Sequence, residues 1–309
     1  ALLLHGRSEA RLADAAREVA ERAGTAPRAT YLADFEDLAQ VRALARRVLA
    51  EQPRLDVLVN NAALGIDPVR RVSRDGLEST FQVDYLAPYV LCHALEPLLV
   101  ASAPSRIVNV GSAGQAPLRF DDLQLERDYD GMQAYCQAKL ALVMLTIDRA
   151  ADLARAGVGV DCVHPASMMP TKIVTHMFTP MSELADGVRS VVGLVAEPAG
   201  GPSGRYLDTT REARALGQAY DPAARARLRA EAARVTGVPC PVTSPRPPPA
   251  GRARGRRRRP PGPGRARPPA RPTPRRPARR TPATPAAWRG RPRTRPRRRP
   301  GAGRSPPPG

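Results

Sequence analysis

The chain has 309 residues and a formal net charge of +20, a length that fits one large domain or two small ones. The charge excess is local: residues 241–309 hold 22 Arg and no Lys, Asp or Glu, which leaves 27 basic against 29 acidic residues in 1–240. A near-neutral body excludes a generally basic protein, no apolar run reaches the ~18 residues of a bilayer span, and Cys92, Cys136, Cys162 and Cys240 form no CxxC pair, so they read as free thiols in a reducing cytoplasm.

In chain order, strands alternate with helices. Residues 1–5 are a short apolar strand, and residues 8–22 an Ala- and Arg-rich helix with Ser8 as its N-cap. Residues 28–33 form a second strand. Residues 36–51 carry Leu38, Val41, Leu44 and Val48 at helical spacing. Residues 55–60 are a third strand, 76–102 one long helix, 106–110 a fourth strand and 132–156 a second long helix. Residues 158–164 make a fifth strand, 182–197 a helix, 205–207 the core of a sixth strand and 221–236 a final amphipathic helix. Strands alternating with helices predict an α/β fold, a doubly wound parallel sheet of Rossmann type covered on both faces.

Periodicity ends after Gly237, and the reading divides the chain into a domain at 1–238 and a tail at 239–309. Residues 241–309 contain 21 of the 35 prolines, one aromatic (Trp288) and no Ile, Leu or Phe. Such a segment cannot bury enough surface to offset its ordering entropy and is expected to be disordered. Its arginines would attract nucleic acid only non-specifically, because no aromatics are interleaved for base stacking. Only Lys139 and Lys172 accompany 47 arginines, the mark of a very GC-rich gene, so the excess needs no function to explain it. The chain opens on Ala rather than Met and reads as lacking its natural start.

Four segments carry chemistry. Tyr135 and Lys139 lie four apart on the second long helix and so share a face; an ammonium beside a phenol stabilises the phenolate. Asn60-Asn61-Ala62-Ala63 ends the third strand, and sites in open α/β sheets gather at carboxyl strand ends. Gly111-Ser112 follows the fourth strand, where a hydroxyl can meet a substrate oxygen. His164-Pro165 ends the fifth, before an irregular stretch that runs to Met181. Each segment alone is also compatible with an ordinary structural role.

Together, in this order, these segments resemble the short-chain dehydrogenase/reductase family over about residues 1–236. LDVLVNNAA is similar to the family's NNAG segment, VNVGS with AYCQAK to its serine and YxxxK pair, and HPAS to its PG turn. The 23 residues between Ser112 and Tyr135, with Phe120-Asp121-Asp122-Leu123 among them, resemble the retinol dehydrogenase branch and its bacterial relatives. The resemblance implies that Tyr135 is the general acid or base. It implies that Lys139 lowers the phenol's pKa and holds the nicotinamide ribose, and that Ser112 orients the substrate oxygen. Asn60 and Ala62 would line the cofactor channel, Asp34 would meet the adenine, Pro165 would lie under the nicotinamide and Thr171 would meet the carboxamide.

Three departures accompany the resemblance. The family's first strand and Gly-rich phosphate loop are missing before residue 1, the relay asparagine is Asp84, and Ala166 replaces the PG glycine. His5-Gly6-Arg7 ends the family's second strand without an acid, and Arg7 suits a 2′-phosphate, so NADP is expected, with NAD possible. The expected function is interconversion of an alcohol and a carbonyl by hydride transfer. The substrate would be a lipophilic small molecule, since residues 167–181 hold Met168, Met169, Ile173, Val174, Met177, Phe178 and Met181. A soluble cytoplasmic enzyme is the leading reading, and the resemblance implies pairing as a homo-oligomer through the two long helices. An inactive relative serving as a binding or regulatory scaffold is the alternative.

Overall fold

The structure is a computed structural model and describes residues 1–175, 177–198 and 200–239; the expectations for the tail at 241–309 lie outside them. β1 (Leu3–Gly6), α1 (Glu9–Ala23), β2 (Ala29–Leu32), α2 (Leu38–Glu51) and β3 (Val57–Asn60) follow the predicted alternation. Ser8 stands at the N-cap of α1 but makes no side-chain capping bond. Asp37 does cap α2, accepting the Ala39 and Gln40 N–H groups, which leaves Leu38, Val41, Leu44, Ala45 and Val48 as the buried face.

The first long helix is not continuous. It is divided into α3 (Ser79–Phe81), a π-helical turn (Gln82–Leu86), α4 (Ala87–Ala94) and α5 (Glu96–Ala101). Proline accounts for the breaks. Pro88 lacks the N–H that would bond the Asp84 carbonyl in an α-helix, and the widened pattern ahead of it lets Ala87 N–H reach the Gln82 carbonyl instead. Pro97 similarly opens α5. Before α3, residues 70–78 form a turn with positive φ at Gly76, and the Glu78 carboxylate caps α3 through Thr80 and Phe81 N–H.

β4 (Ser105–Val110), α6 (Gly131–Leu153), β5 (Val158–His164), a short α7 (Lys172–Thr175), α8 (Leu184–Val195), β6 (Tyr206–Asp208), β7 (Arg211–Ala213) and α9 (Pro222–Thr236) complete the order. The β7 strand was not expected from periodicity; three residues are too few to show alternation. Strands β3 to β6 are parallel in the order β3-β4-β5-β6, and β7 adds an antiparallel edge. β1 and β2 form a separate parallel pair, so among the described residues β1 and β3 each turn an unpaired edge. The doubly wound order expected from the resemblance has one more strand between them.

Period-two alternation separates the two faces of the sheet. Ile107, Val160 and Cys162 enter the large core under α2, α4 and α6, whereas Val108 and Val163 point the other way, to Leu194 of α8 and to Leu207. Each such aliphatic side chain contributes about 1.5–3 kcal/mol on burial. α6 is buried on nearly every side, by β5, the π turn and α9, which fixes the orientation of any side chain it projects. Among the described residues no helix is long and apolar enough to cross a membrane.

Candidate active site

The carboxyl end of β4, the π turn and the first turns of α6 bring four of the predicted residues into one place. Asp130 caps α6 by accepting Met132 N–H at 2.7 Å and Gln133 N–H at 3.2 Å. This sets where Tyr135 falls on the helix. Gly131 beside the cap is required, since a Cβ there would stand 1.9 Å from the Asp67 carbonyl oxygen. Lys139 Nζ lies 5.5 Å from the Tyr135 ring centroid and 3.4 Å from the Val110 carbonyl, tying the helix to the end of β4.

Ser112 follows two residues later. Its Oγ accepts Gly114 N–H at 3.0 Å and interacts with the Tyr135 hydroxyl. Its carbonyl accepts the Tyr206 hydroxyl at 3.1 Å and Gln115 Nε2 at 3.0 Å, so β6 and the following loop hold the serine from behind. Ser112 is buried.

Asp84 is the surprise of the cluster. On the π turn, with its side chain wholly buried, it places Oδ2 3.0 Å from Lys139 Nζ, while Oδ1 accepts Leu64 N–H at 2.7 Å. Burial pushes the Asp84 carboxyl up, against the pull of Lys139. Burial alone would lower Lys139, but Asp84 and Tyr135 outweigh it and hold the amine above its ordinary value. The 3.0 Å contact has the geometry of an ion pair, with the ammonium set against the carboxylate. Burial also pushes the Tyr135 phenol above its ordinary value; Lys139 and Ser112 pull it down, and Asp84 adds to the rise. The resemblance implies a lowered phenol, and in this structure the net direction is upward.

The remaining predicted residues are dispersed along the same edge. Asn60 is buried and its carboxamide faces inward, donating to Asn109 Oδ1 at 2.8 Å, whereas Ala62 is exposed at the strand exit. Asp34 closes β2 with its carboxylate on Glu36 N–H at 3.1 Å. Arg7 is half exposed, 3.7 Å from Glu36. Pro165 is buried. Thr171 begins α7, its carbonyl accepting Val174 and Thr175 N–H. His164, which ends β5, places Nε2 3.1 Å from Ser167 Oγ. The loop after it is stapled at its base, by Met181 N–H on the Met168 carbonyl at 3.0 Å and the Ser182 hydroxyl on the Ser167 carbonyl at 2.5 Å. Its Ile173 packs so close to Gly65 that a Cβ there would meet Ile173 Cγ2 at 3.0 Å.

Sequence reasoning missed a buried polar relay. Asn109 Nδ2 donates to Thr146 Oγ1 at 2.9 Å, and that hydroxyl donates to the Leu142 carbonyl at 2.9 Å, so β3, β4 and α6 are joined by Asn60, Asn109 and Thr146. An Asn between two valines on a buried strand was the available signal. Gly111, singled out in the sequence together with Ser112, has a packing role that the sequence did not reveal: a Cβ there would stand 2.6 Å from Cys162 Sγ.

A tyrosine and lysine on one helix, facing a strand-end serine within a parallel α/β sheet, define a class of dehydrogenase. The short chain dehydrogenase family model matches residues 1–181, and the chain belongs to that family of oxidoreductases. Within it the chain is similar to retinol dehydrogenases. It is 35% identical over 225 residues to mouse "Retinol dehydrogenase 13", covering 66% of this chain and 67% of the mouse protein. It is 33% identical over 205 residues to human "Retinol dehydrogenase 14", covering 61% and 60%. Among solved structures, an uncharacterized protein from Mycobacterium paratuberculosis matches with a TM-score of 0.63 at 23% identity, covering 78% of this chain and 85% of the other. An Escherichia coli short chain dehydrogenase complexed with NADPH matches with a TM-score of 0.54 at 22% identity, covering 68% and 85%. These two matches concern the fold.

Proposed function

We propose that this chain interconverts a lipophilic alcohol and its carbonyl by hydride transfer, with NADP preferred over NAD, in the cytoplasm. The observation that carries this reading is the convergence of Tyr135, Ser112 and Lys139 at the carboxyl ends of the strands. The similarity to retinol dehydrogenases supports an apolar substrate, as do the methionines of residues 167–181.

The residues fit the nicotinamide-ribose end of a dinucleotide. Tyr135 and Lys139 offer a hydroxyl and an ammonium side by side, and the exposed Asn61-Ala62 exit leaves the end of β3 open beside them. Among the described residues no glycine-rich turn presents successive N–H groups to a pyrophosphate. In this reading Tyr135 and Lys139 hold the ribose, Asn60 and Ala62 line the channel, Pro165 and Thr171 meet the nicotinamide, Asp34 meets the adenine, and Arg7 takes the 2′-phosphate in competition with Glu36. When bound, the cofactor supplies or accepts the hydride. Ser112 holds the substrate oxygen, and Tyr135 Oη gives it a proton in reduction or takes one in oxidation.

Tyr135→Phe in the full-length protein tests this reading, with NADPH-dependent reduction of an apolar aldehyde followed by absorbance. General acid catalysis is worth roughly 10²–10⁴-fold, so kcat should fall by that order with the fold intact. Retention of more than about a tenth of the rate, against that expectation, would remove Tyr135 from the role. The scaffold alternative is favoured by one observation, the engagement of Lys139 by Asp84, and it expects no turnover even before substitution.

A further inference from the structure

Lys139 places a cation close to the Tyr135 ring, with Nζ 5.5 Å from the centroid. That ammonium is already matched, since Asp84 Oδ2 stands 3.0 Å away and the two side chains are 4% and 0% exposed. Among the described residues, three other titratable groups face this cluster, and none supplies a positive charge. Cys136 on α6 and Cys162 on β5 are each pushed by burial to about 12 and stay neutral thiols. Glu78, ahead of α3, is also raised by burial and faces Asp84. A lone buried ammonium stabilises a neighbouring phenolate. An ammonium paired with a carboxylate at contact distance presents a dipole, whose field weakens faster with distance than that of a net charge.

We propose that Asp84 is a positioning residue that claims the Lys139 ammonium, leaves Tyr135 little of that stabilising charge, and so moves alcohol oxidation, which starts from the phenolate, to alkaline pH. The step balances simply. A hydride, with its two electrons, passes from reduced nicotinamide to the carbonyl carbon while the Tyr135 O–H bond breaks and its proton goes to the carbonyl oxygen. The phenolate left behind regains a proton from solvent. Oxidation must start from the phenolate, which the paired lysine does little to favour, so it is slow near neutrality. Asp84 also carries its effect to the strand exit, because its second oxygen holds Leu64 N–H.

The turnover part rests on the oxidoreductase reading; the electrostatic part does not, and it can be measured without cofactor. Tyrosinate absorbance is titrated in the full chain, and the same titration of Tyr135→Phe is subtracted to isolate Tyr135 among the seven tyrosines. In the unmodified protein Tyr135 should ionise above the ordinary value of about 10. Asp84→Asn should move that ionisation down by about one to three pH units, the usual effect of removing a close charge, with circular dichroism confirming the fold. Asp84→Ser, which keeps a small acceptor for Leu64 N–H, is the second variant. Ionisation of Tyr135 below about pH 8 in the unmodified protein, well under its usual value, overturns the proposal whether or not the variants fold. A folded variant that leaves Tyr135 unchanged or higher overturns it too. Turnover then reads the same group: the pH at which alcohol oxidation reaches half its plateau should fall in Asp84→Asn by the same roughly one to three units as the phenol, and an unshifted profile in a folded, active variant overturns that part. Absence of any turnover in the unmodified protein would count against the oxidoreductase reading and would leave the titration result standing.

Discussion

At Gly111 the end of β4 comes so close to β5 that no side chain fits between them. Its N–H donates to the Val163 carbonyl at 2.8 Å, and the approach is what presents Ser112 to Tyr135. Gly111→Ala would press a methyl group against Cys162 Sγ, 2.6 Å from the new Cβ. Overpacking of that kind costs about 1–3 kcal/mol, and a lowered thermal midpoint should report it. Cys162→Ala in the same chain removes the obstructing sulfur and should return much of the loss, a non-additive pair. Additive losses in the double variant would show that the strain lies in the backbone and not at the sulfur.

At the scale of elements, the divided helix between β3 and β4 decides both the site and the acid response. Its π turn rotates Asp84 toward α6, and α4 carries His93 inward. The His93 ring lies tilted at 45° to that of Tyr89 with centroids 4.3 Å apart, its Nδ1 is 2.8 Å from the Tyr89 carbonyl, and among the described residues its buried Nε2 has no hydrogen bond. Burial lowers its pKa, and Arg149 adds to that; His164 is lowered by burial in the same way. Because the folded pKa lies below the unfolded one, the unfolded chain takes the proton first on acidification. Stability is therefore whole above the ordinary value near 6.5 and falls as pH drops beneath it. The thermal midpoint should decline between pH 7 and 5, the span around that ordinary value, and His93→Gln should flatten the decline. An unaltered slope would mean that the folded state protonates His93 as readily as the unfolded chain does.

For the molecule as a whole, the core of the described residues reaches as far as α9. Its C-terminal contribution is Ala224, Leu228 and Ala232 of α9, held to α6 by Arg225 Nε on Asp148 Oδ1 at 2.8 Å. Residues 241–309 offer no Ile, Leu or Phe to that core. Deleting them should leave the melting temperature within about a degree or two, since surface changes are usually within ±0.5 kcal/mol. The same deletion should abolish the low-salt adhesion to DNA that 22 arginines would give the intact chain, an adhesion expected to fall steeply from about 50 to 200 mM salt. A large fall in melting temperature, or binding at physiological salt that distinguishes one sequence from another, would make the segment more than an electrostatic appendage.

Periodicity and strand-end motifs in the sequence were sufficient for the parallel α/β order, the face of α2 that is buried, and the pairing of Tyr135 with Lys139, because each depends on neighbours a few residues apart. The break of the long helix was legible in Pro88 and Pro97, although nothing local dictated that the turn before Pro88 would be π-helical. The relay from Asn60 through Asn109 to Thr146, the glycine forced at position 111 by Cys162, and the two-piece sheet depend on residues 37 to 51 positions apart or more, which only packing brings together. Electrostatics divides the same way. The sequence determined that a tyrosine would have a lysine beside it. The tertiary structure decided, by burying Asp84 against that lysine, whether the charge was free to act on the phenol, since both burial and counter-charge are properties of the assembled interior.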